Sequence, residues 1–356
     1  MAHDLHFNDE SNKYSFFSVK EKPWHGLGLI LDGYPTSGEA IKLAGLDYQV
    51  VKTPVFIDAD HSRIDDSVID YSASKIIVPD CFATKRMDTG APLGVVGKDY
   101  QIVQNRDAFS FFDSIVQGDG ILYETAGALG KNGQRIFITA KLPGYIRVGK
   151  DDVIERYLFL TNSHDGSGSI TAAFTPIRVV CRNTLNAAMR NLTNVVRIRH
   201  TANAKLRLEQ AHKVMGMACT FSQEIEPVFN QWAKVRITDK ELKRLIEMAM
   251  APNREVLGKL KDSRVEELSS HYTNMVESVY EYALGSPTQN METTAGTVFG
   301  CYNAITGYFS NVRSYKDEEA KVKSMLLGGT AQLRGQTAFN LCEDFTQYGA
   351  DIFNMN

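Results

Sequence analysis

The chain has 356 residues, 43% of them hydrophobic and 23% charged, with a formal net charge of -3. This is ordinary globular composition, which excludes a disordered, collagenous or coiled-coil protein, and the length suits two domains. No apolar run approaches the ~18 residues of a membrane helix, and the polar, acidic Met1 to Glu10 lacks a secretory h-region, so no membrane partner is expected. The five cysteines (Cys81, Cys181, Cys219, Cys301, Cys342) are widely scattered. Their scatter predicts reduced thiols in a cytoplasm rather than a disulfide framework.

The first half reads as β-rich. Tyr48 to Ile57, Ser74 to Val78, Leu93 to Val96 and Tyr100 to Val103 are short β-branched runs bounded by Gly, Pro and Asp. Asn105 is placed to cap a helix through Ser114, with Phe109 and Phe112 on its apolar stripe. Tyr123 to Leu129 and Gln134 to Leu142 flank Lys131-Asn132-Gly133; Asn-Gly tolerates positive φ, which makes this the clearest hairpin of the chain. Val153 to Thr161, Ser169 to Phe174 and Ile177 to Val180 continue the sheet. Asn183 is then expected to cap a short helix, Thr184 to Arg190, followed by a strand at Val195 to Arg199.

The second half reads as helical. Ala204 to Ile225 carries Leu208, Ala211, Met215, Ala218 and Phe221 at helical spacing. Thr238 with Glu241, and Ser263 with Glu266, are capping-box patterns, the second opening a helix that ends at Gly285. Thr293 is expected to open another helix, and Thr330 to Tyr348 the last one. Strands followed by helices predict an α+β fold: an antiparallel-rich sheet with a hairpin and packed helices, then a helical domain. The expected divisions are an N-terminal arm (1–22), an α+β core domain (23–200) and a helical domain (201–356).

Charge is uneven. Met1 to Asp70 holds twelve acidic and six basic residues, whereas Ala172 to Lys213 holds eight basic residues against Glu209 alone. Along Ile177 to Arg182, alternation sets Arg178 and Arg182 on one face of a strand and Ile177, Val179 and Cys181 on the other. At ~3.3 Å per residue these two guanidiniums stand about 13 Å apart on one face, an arrangement that suits a polyanion. Arg197 and Arg199 are set two residues apart on one face, about 6–7 Å, comparable to successive phosphates of a single strand. The candidate nucleic-acid-binding residues are therefore Arg178, Arg182, Arg190, Arg197, Arg199 and Lys205. Structural ion pairs account for the same arginines equally well.

Enzymatic signatures are missing: there is no phosphate loop, C-x-x-C, H-E-x-x-H or G-x-S-x-G. Trp24-His25-Gly26-Leu27-Gly28 reads as a tight turn. In Ser163-His164-Asp165-Gly166-Ser167-Gly168 consecutive side chains diverge, so no local Ser-His-Asp triad can form. His164, Asp165, Gly166 and Ser167 are instead a candidate turn offering backbone N–H groups to an anion. Cys181 with His164 is a possible catalytic pair only if the thiolate is stabilised nearby. No metal or cofactor is expected, since no Cys/His pair has ligand spacing.

Thr161-Asn162-Ser163-His164-Asp165-Gly166-Ser167 and Ala173-Phe174-Thr175-Pro176-Ile177-Arg178-Val179-Val180-Cys181-Arg182-Asn183-Thr184-Leu185 resemble the phage/plasmid-like protein family, classed as a domain of unknown function. Pro23 to Gly28 looks like its N-terminal motif and Gly296 to Thr306 its C-terminal helix, with Phe299 where tryptophan is common. The resemblance implies a mobile-element protein and carries no established activity. In outline the fold is similar to that of ring-forming single-strand annealing recombinases, an analogy of fold alone. The leading expectation is a single-stranded nucleic-acid-binding, strand-annealing or recombination factor that forms a homo-oligomer. The alternatives are a self-assembling interaction or host-takeover protein without enzymatic activity, and a cysteine/histidine enzyme.

Overall fold

The computed structural model describes residues 5–9, 11–20, 27–58, 75–115, 122–178, 183–184, 195–204, 206–208, 224–316, 320–321, 324–325 and 329–354. In chain order the strands are β1 (Phe7–Asn8), β2 (Lys13–Tyr14), β3 (Phe16–Val19), β4 (Leu29–Leu31), β5 (Val50–Asp58), β6 (Lys75–Arg86) and β7 (Pro92–Gly97). They continue as β8 (Leu122–Leu129), β9 (Arg135–Val148), β10 (Asp152–Ser163), β11 (Ile170–Arg178), β12 (Asn183–Thr184) and β13 (Val195–Ile198). The helices are α1 (Ser37–Leu43), α2 (Asn105–Ile115), α3 (Asp239–Met250), α4 (Arg254–Lys261), α5 (Ser270–Gly285), α6 (Val298–Gly307) and α7 (Thr330–Tyr348). Residues 224–232 are also helical.

The fold is α+β, with a large antiparallel-rich sheet ordered β12-β11-β10-β9-β8-β3-β4. β13 shares one edge of β11 with β12: it pairs along Ile170 to Ala173, and β12 pairs at Ile177 and Arg178. Alternation explains which face is covered. Ile136, Ile138, Ala140 and Leu142 of β9 are buried, whereas Arg135, Phe137, Thr139 and Lys141 are half-buried. α2 packs on β9 and β10 with Ala108, Phe109 and Phe111 in the core, and α1 packs on β8. β5, β6 and β7 form a separate three-stranded sheet.

The helical half is continuous with this core. Phe229, Trp232, Phe299, Tyr302 and Phe339 form one aromatic cluster, with Trp232 and Phe339 centroids 4.8 Å apart. Hydrogen bonds cross to the β9–β10 turn. Asn230 Nδ2 donates to Arg147 O at 2.7 Å, Gly149 N to Asn230 Oδ1 at 3.0 Å, and Thr293 Oγ1 to Asp152 Oδ2 at 2.7 Å. No helix among the described residues is long and apolar enough to cross a membrane.

Several elements differ from the sequence reading. Tyr100 to Val103 is no strand: side chains claim its carbonyls, Lys52 Nζ that of Tyr100, His200 Nδ1 that of Gln101 and Asn162 Nδ2 that of Val103. β11 runs unbroken through Pro176, which pairs with Arg156. Asn183 belongs to a strand rather than a helix cap, and 185–190 lie outside the described residues, as do 209–223 of the long predicted helix and 21–26 of the tryptophan turn. Ser263 has φ 57°, and Val265–Glu267 is a 3-10 turn; α5 is capped by Ser269 instead. Thr297, not Thr293, caps α6, because the Thr293 hydroxyl is spent on Asp152. Residues 16–19 of the expected N-terminal arm form an interior strand between β8 and β4.

Candidate functional site

The conspicuous Ser-His-Asp-Gly-Ser-Gly string sits where β10 ends. Asp165 Oδ1 accepts from Ser163 Oγ (2.7 Å), Ser167 Oγ (2.6 Å) and Ser167 N (2.9 Å). Burial works against its charge, but the hydrogen bonds from Ser167 and Ser163 outweigh it and hold the carboxyl below its usual range. The Ser167 N–H that the sequence offers to an external anion is therefore taken by a carboxylate of the same turn. Gly166 supplies the left-handed residue (φ 77°), and Gly94 of β7 lets its backbone meet Asp165 directly.

His164 is fully buried. Asn105 Nδ2 donates to Leu46 O at 2.9 Å, which leaves Asn105 Oδ1 as the acceptor and assigns the proton to His164 Nε2, 2.8 Å away. The His164 backbone is also held: its N–H donates to Gln134 O and its carbonyl accepts from Thr84 Oγ1 at 2.6 Å. Burial, then the neighbouring His200, pushes His164 down to about 3, so the ring is neutral. Its Nδ1 has no partner among the described residues, and neither Ser163 nor Asp165 bonds the imidazole. This histidine ties β10, α2 and the three-stranded sheet together, and it offers no proton to solvent.

Arg86 is a second buried hub that residue types alone did not single out. Its guanidinium donates to Asp88 (Nε at 3.0 Å, Nη2 at 2.6 Å), to His6 Nε2 at 3.0 Å and to Asn132 O at 3.3 Å, and it lies 3.9 Å over the Tyr48 ring. The hydrogen bond from Arg86 keeps the Asp88 carboxyl low, and burial followed by the Arg86 charge lowers His6.

The basic residues divide. Arg182, Arg190 and Lys205, together with Cys181, lie outside the described residues, and of Arg178 only the backbone is described, paired with Ile154 and Asn183. Arg197 and Arg199 are exposed on either side of buried Ile198. Neither has an acidic partner among the described residues. Arg197 pairs with Thr171, so it and Arg178 hold register positions of opposite parity on β11. The strand register therefore does not place all these arginines in one row. Tyr157 of β10 and Phe174 of β11 are 6% and 0% exposed and belong to the core. Among the described residues no group of three His, Cys, Asp or Glu is arranged to hold a metal ion.

No curated protein and no solved structure matches the chain. A family model does match, over residues 92–326, from β7 to just short of α7. The chain belongs to the DUF932 family, a domain of unknown function.

Proposed function

We infer that this protein binds single-stranded nucleic acid without sequence preference, by its phosphate backbone. The observation that supports this most is the pair Arg197 and Arg199: exposed, on either side of buried Ile198 where the edge strand β13 ends, and free of acidic partners among the described residues. Arg207 adds another exposed cation a few residues on. A protein of net charge -3 that leaves such cations uncompensated presents a local anion-binding edge. With the resemblance to the phage/plasmid-like family, the finer reading is a mobile-element strand-annealing or recombination factor in the host cytoplasm. Anisotropy titration of a labelled oligo(dT) tests it: binding that weakens steeply with salt is expected, and no binding at about 50 mM salt would remove the reading.

The self-assembling interaction protein is the second reading. It is supported by the β5–β6 ribbon, where Phe56, Ile57, Ile76 and Ile77 are 49–57% exposed on both faces. Light scattering that shows only ~40 kDa monomer at tens of micromolar would exclude it.

A further inference from the structure

α1 packs on β8, α2 packs on β9 and β10, and the two helices meet. Between them lies a cavity of about 340 Å³. Spacings of three and four residues bring Ser37 together with Ile41 on α1, and Arg106 together with Phe109 and Ser110 on α2. Ile41 and Phe109 are buried and give the cavity an apolar floor. That floor is held in place. The Tyr123 ring backs Phe109 with centroids 5.4 Å apart, and the Tyr123 hydroxyl lies 3.2 Å from Phe109 O and 2.7 Å from Asp113 Oδ1.

The opening is charged. Lys42 and Arg106 are exposed there, and Asp47 is the carboxylate that faces them. Arg106 gives both Nε (3.0 Å) and Nη2 (2.6 Å) to one oxygen, Asp47 Oδ1. Asp47 therefore orients the guanidinium and leaves its Nη1 donors to a ligand. Lys42 has no carboxylate partner among the described residues. Two cations against one carboxylate leave an excess of one positive charge above an apolar floor. A bare phosphate would use the cations and leave the floor empty. An organic acid uses both, because its charge meets donors while its hydrocarbon part leaves water.

We propose that the cavity between α1 and α2 binds a small organic carboxylate, with its apolar body on Ile41 and Phe109 and its charge on Lys42 and Arg106. At about 30 Å³ per water the cavity has room for about eleven waters, enough for an aryl or short alkyl acid. This site goes beyond the nucleic-acid reading and does not depend on it.

Equilibrium dialysis of the full chain against radiolabelled benzoate tests it, and saturable binding to a single site is expected. A hydrogen bond to a charged group is worth about 1.5–3 kcal/mol, so Lys42→Gln should weaken binding about 10- to 150-fold. Lys42→Arg should keep it. Ser110→Leu, also at an exposed position, narrows the cavity and should weaken binding too. Hexanoate should displace benzoate; acetate, which leaves the floor bare, and benzamide, which lacks the charge, should displace it poorly. The proposal is overturned if benzoate shows no saturable binding, if Lys42→Gln and Ser110→Leu bind it as wild type does, or if benzamide competes as well as hexanoate. Displacement of benzoate by oligo(dT) would assign the two cations to a nucleic-acid strand and overturn the small-acid site. Benzoate binding by a chain that ignores oligo(dT) would support the cavity and remove only the strand reading.

Discussion

The imidazole of His164 donates its Nε2 proton to Asn105 Oδ1 across 2.8 Å, locking the end of β10 onto the first residue of α2. Both groups are fully buried, and the Asn105 amide is shared with Leu46 O. Asn105→Ala leaves the His164 N–H and the Leu46 carbonyl without partners. Each orphaned group costs about 1–3 kcal/mol, so a loss of about 2–6 kcal/mol is expected in urea unfolding. A loss below about 0.5 kcal/mol would mean that water reaches this corner and the link is dispensable.

The close approach of β7 to the Asp165 turn gives a paired expectation. A Cβ at Gly94 would overlap Asp165 Cα and stand 2.7 Å from the Asp165 carbonyl oxygen, whereas one at Gly97 meets nothing within 4 Å. Gly94→Ala must push two backbones apart and should cost about 1–3 kcal/mol. Gly97→Ala should be near neutral. Equal unfolding midpoints for the two variants would show that the three-stranded sheet sits more loosely on the turn.

Acid should loosen the N-terminal strands. Burial and the Arg86 charge lower the His6 pKa below its ordinary 6.5, so the unfolded chain takes up this proton first. The contribution is fully present above about pH 6.5 and is lost progressively as pH falls through and below that value. Replacing His6 by Asn removes the titration. The stability difference between wild type and His6→Asn should shrink or reverse between pH 7.5 and 5.5, read by chemical denaturation at each pH. Parallel pH profiles for the two proteins would exclude His6 as a contributor.

The parts legible in the sequence were those decided by neighbours along the chain. Period-two alternation and Asn132-Gly133 placed the β8–β9 hairpin, and Thr238 with Glu241 forms the predicted reciprocal cap of α3. The chain misled where a local signal was claimed by a distant partner. Asn105 has the identity of a cap, yet its amide serves Leu46 and His164, each 59 residues away. Thr293 looks like a helix opener, but its hydroxyl belongs to Asp152, 141 residues earlier. Ser263 and Glu266 match the capping pattern without forming it, since Ser263 adopts positive φ. The Arg86 hub was invisible because its partners His6 and Asn132 lie 80 and 46 residues away, and residue spacing does not report such a convergence. The isolated histidines were the one available hint: His164 and His200 are both buried, and each spends one ring nitrogen on the segment from Gln101 to Asn105.

The edge strand β13 supplies the decisive measurement for nucleic-acid binding. Arg197 and Arg199 flank Ile198, which is buried, so replacing both arginines by Ala leaves the packed face of the strand intact. Each phosphate neutralised on a single strand contributes about -0.7 to the slope of log K against log salt, and two lost contacts should flatten it by about 1.4. Affinity at low salt should fall, while the thermal midpoint should move little, because exposed cations contribute little to folding. Sequence should not matter: oligo(dT) and a mixed-sequence strand should respond alike, since phosphate contacts carry no base information. A folded double variant that keeps the wild-type slope would assign these arginines to solubility or to a protein contact. The exposed β5–β6 ribbon would then be the first place to look for a partner.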